Sequence, residues 1–315
     1  MKTQELTPKV SVIMLAYNHE KYISDAIESI VNQQTNFPFE LIIGEDCSTD
    51  NTVKIIKSYQ KEYPKIIKLI TSEKNVGIIA NELRVMQQCQ GKYIAFCEAD
   101  DFWTDELKLQ KQVDFLEENE EVGLVHADVN HWEQGKNKIE KAINRSENIK
   151  IPSGNIFEFL MLPSHSIKTM TVCMRKDIFE LYYLNNNEIK AKDWFLIDIS
   201  IWLTIAKHSK IQYFDEVFAT YRLLDESMSR SKNKQKLYEF HQKIMAIKEY
   251  FLTKMLVSDD IKNQLIIHKY YTFFYDGFAM KNFDLMKKSK LELEKLSYSF
   301  TIKEKIMYYK TYFGL

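Results

Sequence analysis

Hydrophobic and polar positions alternate in blocks along the first hundred residues. Val10–Ala16 is a continuous apolar run with β-branched residues, which predicts a buried strand. Tyr17-Asn18-His19-Glu20 interrupts it, and Tyr22, Ile23, Ala26, Ile27, Ile30 and Val31 then recur at helical spacing. A second strand is predicted at Phe39–Gly44. It runs into Glu45-Asp46-Cys47-Ser48-Thr49-Asp50-Asn51, where Ser48 or Asp50 can cap a helix carrying Val53 and Ile56 inward. Ile66–Thr71 reads as a third strand, and Asn75-Val76-Gly77 as a turn into a helix over Ile79–Gln88. After Gly91, Tyr93–Cys97 is a fourth strand, ending in Glu98, Asp100 and Asp101. This alternation predicts an α/β fold: a Rossmann-like, mostly parallel sheet covered by helices, with right-handed crossovers.

The pattern loosens beyond that point. A helix is expected from Trp103 onward, with Leu107, Leu109, Val113, Phe115 and Leu116, and a strand at Val122–Val129. Gln134–Lys150 is polar and reads as a surface excursion. A short helix is expected within Pro152–Leu162 and a strand at Met170–Met174. A helix follows with Ile197, Ile201 and Leu203–Ile205, and Ile211–Tyr221 alternates like one more strand. After Ser231 the character changes: Leu237, Phe240, Ile244, Ile247 and Phe251 step by three and four, as in an amphipathic helix. We therefore expect an α/β domain over residues 1–230 and a helical C-terminal region over 231–315.

Composition narrows the class. The 315 residues carry 43 basic and 44 acidic side chains, so no net field draws the chain to nucleic acid. The four cysteines form no CxxC pair and sit in or beside apolar runs, as reduced thiols do in a cytosol. The N-terminus lacks an apolar signal core, and no run of about 18 apolar residues occurs. The expectation is a cytoplasmic protein.

None of the eight glycines forms GxGxxG or GxxxxGK[ST], which excludes a dehydrogenase-type dinucleotide loop and a P-loop. Carboxylates instead gather at two strand tips, Glu45/Asp46 and Glu98/Asp100/Asp101. In an open parallel sheet, ligands bind at that edge. Glu98 and Asp100 alternate along an extended chain and can face one spot, where a hard cation such as Mg²⁺ or Mn²⁺ would relieve their repulsion and bridge phosphates. A solvated acidic turn capping the next helix is the plain alternative.

Three stretches in order carry a resemblance: Val10–Ala16 into Tyr17-Asn18, Glu45-Asp46-Cys47-Ser48-Thr49-Asp50, and Gly91-Lys92-Tyr93-Ile94 into Glu98-Ala99-Asp100-Asp101. Over roughly residues 8–230 the chain resembles the family 2 glycosyltransferases, inverting enzymes of the GT-A fold that use nucleotide-sugar donors. The resemblance implies that Ala16, Tyr17 and Asn18 line the nucleotide pocket. It makes Asp46 the reader of uracil, with Glu45 in place of a more usual Asp. Asn81 and Arg84 fall where donor contacts arise, although a solvated helix arginine fits Arg84 equally well. Glu98-Ala99-Asp100 corresponds to the D-x-D motif, with Asp100 and Glu98 as ligands of Mn²⁺ or Mg²⁺. Asp193, in Lys192-Asp193-Trp194, matches the general base, with Asp198 as runner-up and helix capping as the plain alternative. Tyr221-Arg222 resembles the closing Tyr-Arg whose arginine clamps pyrophosphate. The histidine common two residues later is replaced by Leu224, which leaves any role for it without a carrier.

Among the other histidines, His126 reads as core or cleft wall, and His165 is placed to line an acceptor site. Residues 281–315 hold eight lysines and four acids, interleaved with Phe283, Tyr298, Phe300, Tyr308, Tyr309, Tyr312 and Phe313. That mixture suits the inner face of an anionic membrane, and equally suits helices packed on the catalytic domain or on a second subunit of a homodimer. The implied activity is sugar transfer from a nucleotide-sugar, with UDP-sugar expected, to a glycan or lipid-linked acceptor in surface polysaccharide biosynthesis. A nucleotidyltransferase of similar architecture is one rival, lacking its Gly-rich phosphate loop here; a non-catalytic assembly partner that keeps the pocket is another.

Overall fold

The computed structural model describes residues 7–136, 138–162, 167–224 and 231–312. The chain divides into two compact units, Met1–Ile156 with Ile167–Leu223, and Phe157–Ser166 with Leu224–Leu315.

The first unit is built on one sheet. Its strands are β1 (Val10–Ala16), β2 (Phe39–Glu45), β3 (Ile67–Ile70), β4 (Tyr93–Phe96), β5 (Phe102–Trp103), β6 (Val122–Glu133), β7 (Lys138–Glu140), β8 (Cys173–Arg175) and β9 (Lys210–Arg222). They lie in the order β3-β2-β1-β4-β8-β6-β9-β5, with β7 paired to β6. The expected β-α series produces the parallel half: β3, β2, β1 and β4 run the same way, with Val12 opposite both Leu41 and Ala95. β1 lies between β2 and β4 and is apolar apart from the buried Ser11, as suits a strand covered by helices. Helices α1 (Ile23–Val31), α2 (Thr52–Glu62) and α3 (Ile78–Met86) cover it; α1 buries Ile23, Ala26, Ile27 and Ile30, the spacing read from the sequence.

The other half departs from a mostly parallel arrangement. β8 runs antiparallel to both β4 and β6, β5 runs antiparallel to β9, and β6 pairs parallel with β9. The open sheet is therefore mixed, with helices flanking it. Strand direction here is set by pairing between distant segments, which local periodicity does not encode. Trp103 does not open a helix. It pairs with Ala219 on β9, its indole N–H donates to the Met170 carbonyl at 2.8 Å, and the helix α4 begins at Lys108 and ends at Glu118. The strand expected at Met170–Met174 starts instead at Cys173, after a 3₁₀ turn over Thr169–Thr171. Within Pro152–Leu162 only Phe157–Met161 is helical.

Two glycines permit the close packing that places the loops. A Cβ on Gly91 would lie 2.5 Å from the Ser11 backbone nitrogen, so only glycine lets the chain enter β4 against β1. A Cβ on Gly44 would meet Val85 at 2.4 Å and Asn81 at 2.6 Å, so α3 can sit directly on β2.

The second unit is helical. It contains helices Lys234–Leu252, Asp259–Ala279, Phe283–Lys295 and Ile302–Tyr312, with Phe274, Met286 and Met307 as a small core. The short helix Phe157–Met161 belongs to it: Phe157 packs edge-on against Phe251, and the buried Lys248 ammonium donates to the carbonyls of Met161 and Leu162 at 3.0 and 2.9 Å. Among the described residues no helix is long and apolar enough to cross a membrane. The four cysteines are free thiols, three of them buried.

Candidate active site

The parallel strands deliver three loops to one edge of the sheet. Ala16 ends β1 opposite Glu45, the last residue of β2, and the Cys97 amide donates to Ile13 as β4 leaves the ladder. The loops after β1 and β2 are then bonded to each other. Asn18 takes a left-handed conformation (φ 58°), donates its amide to the Ser48 hydroxyl at 3.0 Å, and accepts the Thr49 amide at 2.8 Å. The Glu20 amide donates to Asp50 at 3.0 Å, and Asn51 donates both its amide and its side-chain nitrogen back to Glu20. Asp50 also accepts the Thr52 amide at 2.9 Å, which fixes the start of α2. Tyr17 projects from this double loop half-exposed.

Glu45 and Asp46 are both buried, and both hold backbone in place. Glu45 accepts the Ser48 amide at 2.5 Å and the Cys47 amide at 3.3 Å, which secures Cys47 at a φ of 62°. The two oxygens of Asp46 accept the amides of Val76 and Gly77 at 2.8 and 2.9 Å. An open cavity of about 520 Å³ lies beside that turn, lined by Thr71, Ser72, Glu73, Lys74, Val76 and Arg84. Arg84 faces it while donating to the Thr71 carbonyl at 3.0 Å and to Asn81 at 2.7 Å. Asn81 is buried packing: its amide donates to the Gly44 carbonyl at 2.8 Å.

The third loop carries the acids. Ala99 and Asp101 are buried, while Glu98 and Asp100 keep partial exposure. Asp101 accepts the Arg222 amide at 2.7 Å. Burial, Glu98 and Asp100 push its carboxyl well up, against the pull of Arg222. Glu98 is pushed up to about 8, by burial first and then by the negative charges of Asp198 and Asp100. Its buried Oε2 has no hydrogen-bond partner among the described residues. His19, from the first loop, faces the same acids: burial lowers its pKa, and Asp100 and Asp50 oppose that.

Asp198 opens the helix Asp198–His208, and its charge acts on Glu98 in this loop. It is solvent-accessible, yet the surrounding protein raises its carboxyl, offset by the Thr169 hydroxyl that donates to it. The turn before it is held by Tyr183. Leu196 stands at φ 63° and donates its amide to the buried Tyr183 hydroxyl at 2.7 Å, which also bonds Ser200 at 2.6 Å. Asp193 lies in that preceding turn, exposed, five residues before Asp198. Glu82 on α3 joins the group: burial, then Asp198 and Glu98, raise it well above the ordinary carboxylate range. In the sequence Glu82 is one polar position of α3 among others, with no local signal that sets it apart.

Arg222, expected to clamp pyrophosphate, is buried behind the acidic loop. Its Nε donates to the Asp100 carbonyl at 2.8 Å, and its terminal nitrogens donate to Gln134 at 2.7 Å and Asp25 at 2.8 Å. The rings of Trp132, Tyr22 and Phe102 surround the guanidinium, with centroids 4.6, 5.0 and 5.5 Å away. His126 is a core residue packed on Tyr213. His165 and the greater part of the closing loop (225–230) lie outside the described residues.

The residues fit a divalent cation. An unpartnered buried carboxylate oxygen on Glu98, with Asp100 and Asp198 raising the same group, is a site short of positive charge. Among the described residues no set of three or more His, Cys, Asp or Glu side chains forms a closed cage. An open site of one or two carboxylates that leaves positions for phosphate oxygens suits Mg²⁺ or Mn²⁺.

An open mixed α/β sheet with helices on both faces, and acidic loops at the carboxyl ends of its parallel strands, is the architecture of GT-A glycosyltransferases. The model of the family "Glycosyl transferase family 2" matches residues 11–180, more than half of the chain, and the chain belongs to that family. The uncharacterized protein Rv1520 of Mycobacterium tuberculosis is 43% identical over 112 residues, 36% of this chain and 32% of that protein, so the match spans about a third of that relative's length. The putative teichuronic acid biosynthesis glycosyltransferase TuaG of Bacillus subtilis is 29% identical over 228 residues, covering 72% of this chain and 84% of TuaG. In fold the chain is similar to S. aureus TarS 1–349 in complex with UDP-GlcNAc, with a TM-score of 0.59 at 18% identity over 96% of this chain and 79% of that one. It is also similar to the Pyrobaculum calidifontis mannosyltransferase PcManGT in complex with GDP-Man and Mn²⁺, with a TM-score of 0.57 at 14% identity over 95% of this chain and 78% of that one.

Proposed function

We propose that this chain transfers a sugar, with inversion, from a UDP-sugar to a hydroxyl of a glycan or lipid-linked acceptor, in the cytoplasm, as a step of surface polysaccharide synthesis. What supports the reading is the acidic Glu98–Asp100 loop at the ligand-binding edge of a family 2 fold, with the charge of Asp198 acting on Glu98. Polysaccharide synthesis and a UDP-sugar donor are supported by the likeness to TuaG and to the UDP-GlcNAc complex of TarS.

Glu98 and Asp100 would hold Mn²⁺ or Mg²⁺, which when bound offsets charge on the departing diphosphate. The chain's own residues do the rest. The Asp46-fixed turn at Val76–Gly77 shapes the nucleoside pocket beside Arg84 and Lys74. The loops carrying Ala16, Tyr17 and Asn18 complete its rim. Arg222 holds the Asp100 carbonyl and the Asp101 carboxylate, and so acts on the donor site by position.

Single displacement at the anomeric carbon needs one base on the acceptor side. Asp198 takes that role in our reading in place of Asp193, because its charge acts on both Glu98 and Glu82. Its raised pKa brings it closer to the range in which a carboxylate accepts a hydroxyl proton efficiently near neutrality. Thr169 donates to one oxygen of Asp198, which would aim the other at the acceptor.

The reading is tested by incubating the chain with a panel of UDP-, GDP-, CDP- and ADP-linked sugars, with Mn²⁺ or EDTA, and following nucleoside diphosphate release. Release from a UDP-sugar that requires Mn²⁺ supports it. Release from GDP-sugars alone removes the UDP assignment, and no release with any donor, in the presence of cell-wall and lipid-linked acceptors, removes the transferase.

A further inference from the structure

The last helix, Ile302–Tyr312, is two-sided in an unusual sense: its apolar residues face both inward and outward. Glu304 and Met307 are buried and tie it to its own unit. Glu304 accepts the Thr301 amide at 2.7 Å and the hydroxyls of Thr301, Tyr298 and Tyr275 at 2.8, 3.1 and 3.3 Å. On the opposite side Ile302, Ile306 and Tyr309 are 78%, 51% and 58% exposed. At 3.6 residues per turn these three fall within about 60° of one another. Lys305 flanks the stripe on one side, and Lys303 and Lys310 on the other, all three exposed. The helix's one acid is the inward Glu304, so its outer face presents cations alone around an apolar strip.

We propose that this face docks on the surface of a membrane containing acidic phospholipids. The charge pattern selects that partner. An apolar strip sinks to the headgroup boundary while flanking lysines reach anionic phosphates, and Tyr309 and Tyr312 suit the same depth. A second copy of the chain is the poorer occupant: a twofold interface on this face would set Lys303, Lys305 and Lys310 against the same three lysines. The inference does not depend on the catalytic reading, since every residue in it lies on one helix of the second unit.

The test is sedimentation of the full chain with phosphatidylcholine vesicles, with and without phosphatidylglycerol. Binding is expected only with phosphatidylglycerol, and weaker in high salt. The triple variant K303Q/K305Q/K310Q should lower the partition coefficient by roughly 100-fold, from the contribution of three lysines near the surface. I306D, also at an exposed position, should abolish binding, with circular dichroism verifying that both variants remain folded. Equal binding to neutral vesicles, no binding to either, or a dimer in analytical ultracentrifugation that I306D dissociates would overturn the proposal.

Discussion

The Nε of Arg222 donates to the carbonyl of Asp100 at 2.8 Å, while the backbone amide of Arg222 donates to Asp101 at 2.7 Å. The end of β9 thus fixes both residues of the acidic loop, from 121 to 122 positions away. The guanidinium is fully buried among Trp132, Tyr22 and Phe102, and lysine cannot reproduce three directed donors in one plane.

Arg222→Lys is therefore expected to act on both stability and donor binding. Lysine keeps the charge but cannot reach the Asp100 carbonyl, Gln134 and Asp25 together, and leaving a buried partner unsatisfied costs about 1–3 kcal/mol. Urea denaturation should show that loss. In the protein that remains folded, Mn²⁺-dependent UDP affinity should drop at least about tenfold, or 1.4 kcal/mol. Unchanged stability would mean that the acidic loop holds itself.

Tyr183 holds the turn that leads into Asp198, through Leu196 and Ser200. Phenylalanine at 183 would leave the Leu196 amide unsatisfied at a residue already held at φ 63°, a cost of about 1–3 kcal/mol. Steady-state kinetics on Tyr183→Phe should show kcat reduced with the donor KM unchanged. A change in donor KM alone would place its effect elsewhere.

His126 gives the fold an acid sensitivity. Burial lowers its pKa to about 3, and its Nε2 has no partner among the described residues. The unfolded chain, with an ordinary histidine pKa of about 6.5, binds a proton that the folded state refuses between those values. Stability therefore falls as pH drops through that window, by up to about 1.4 kcal/mol per unit. Chemical denaturation from pH 7 to 4 should show this slope reduced in His126→Leu. An identical slope in the variant would assign the acid sensitivity to other groups.

The parallel half of the sheet was legible because β1, β2 and α1 bury residues at the periods their positions dictate. The other half was not. Phe102–Trp103 is a two-residue strand that exists only through its pairing with Thr220 and Ala219, and nothing local distinguishes it from a helix start. Lys108 and Gln112 look like surface positions of α4, yet both are buried and bond to each other at 2.8 Å and to the Val172 and Thr171 carbonyls. The acidic loops could be found as carboxylates at strand ends. Their division of labour could not: Glu45 and Asp46 carry backbone amides, and the buried Arg222 donates to the Asp100 carbonyl, Gln134 and Asp25. Asp193 precedes and Asp198 opens one helix, with the turn at Leu196, secured by Tyr183, between them.

The most direct measurement compares Asp198→Asn with Asp193→Asn in a transfer assay, alongside UDP binding by thermal shift in Mn²⁺. Asp198→Asn should lose transfer by about 10²–10⁴-fold while still binding UDP, and Asp193→Asn should stay within about threefold of the parent. Full activity in Asp198→Asn, with the loss falling on Asp193→Asn, would contradict the role given to Asp198.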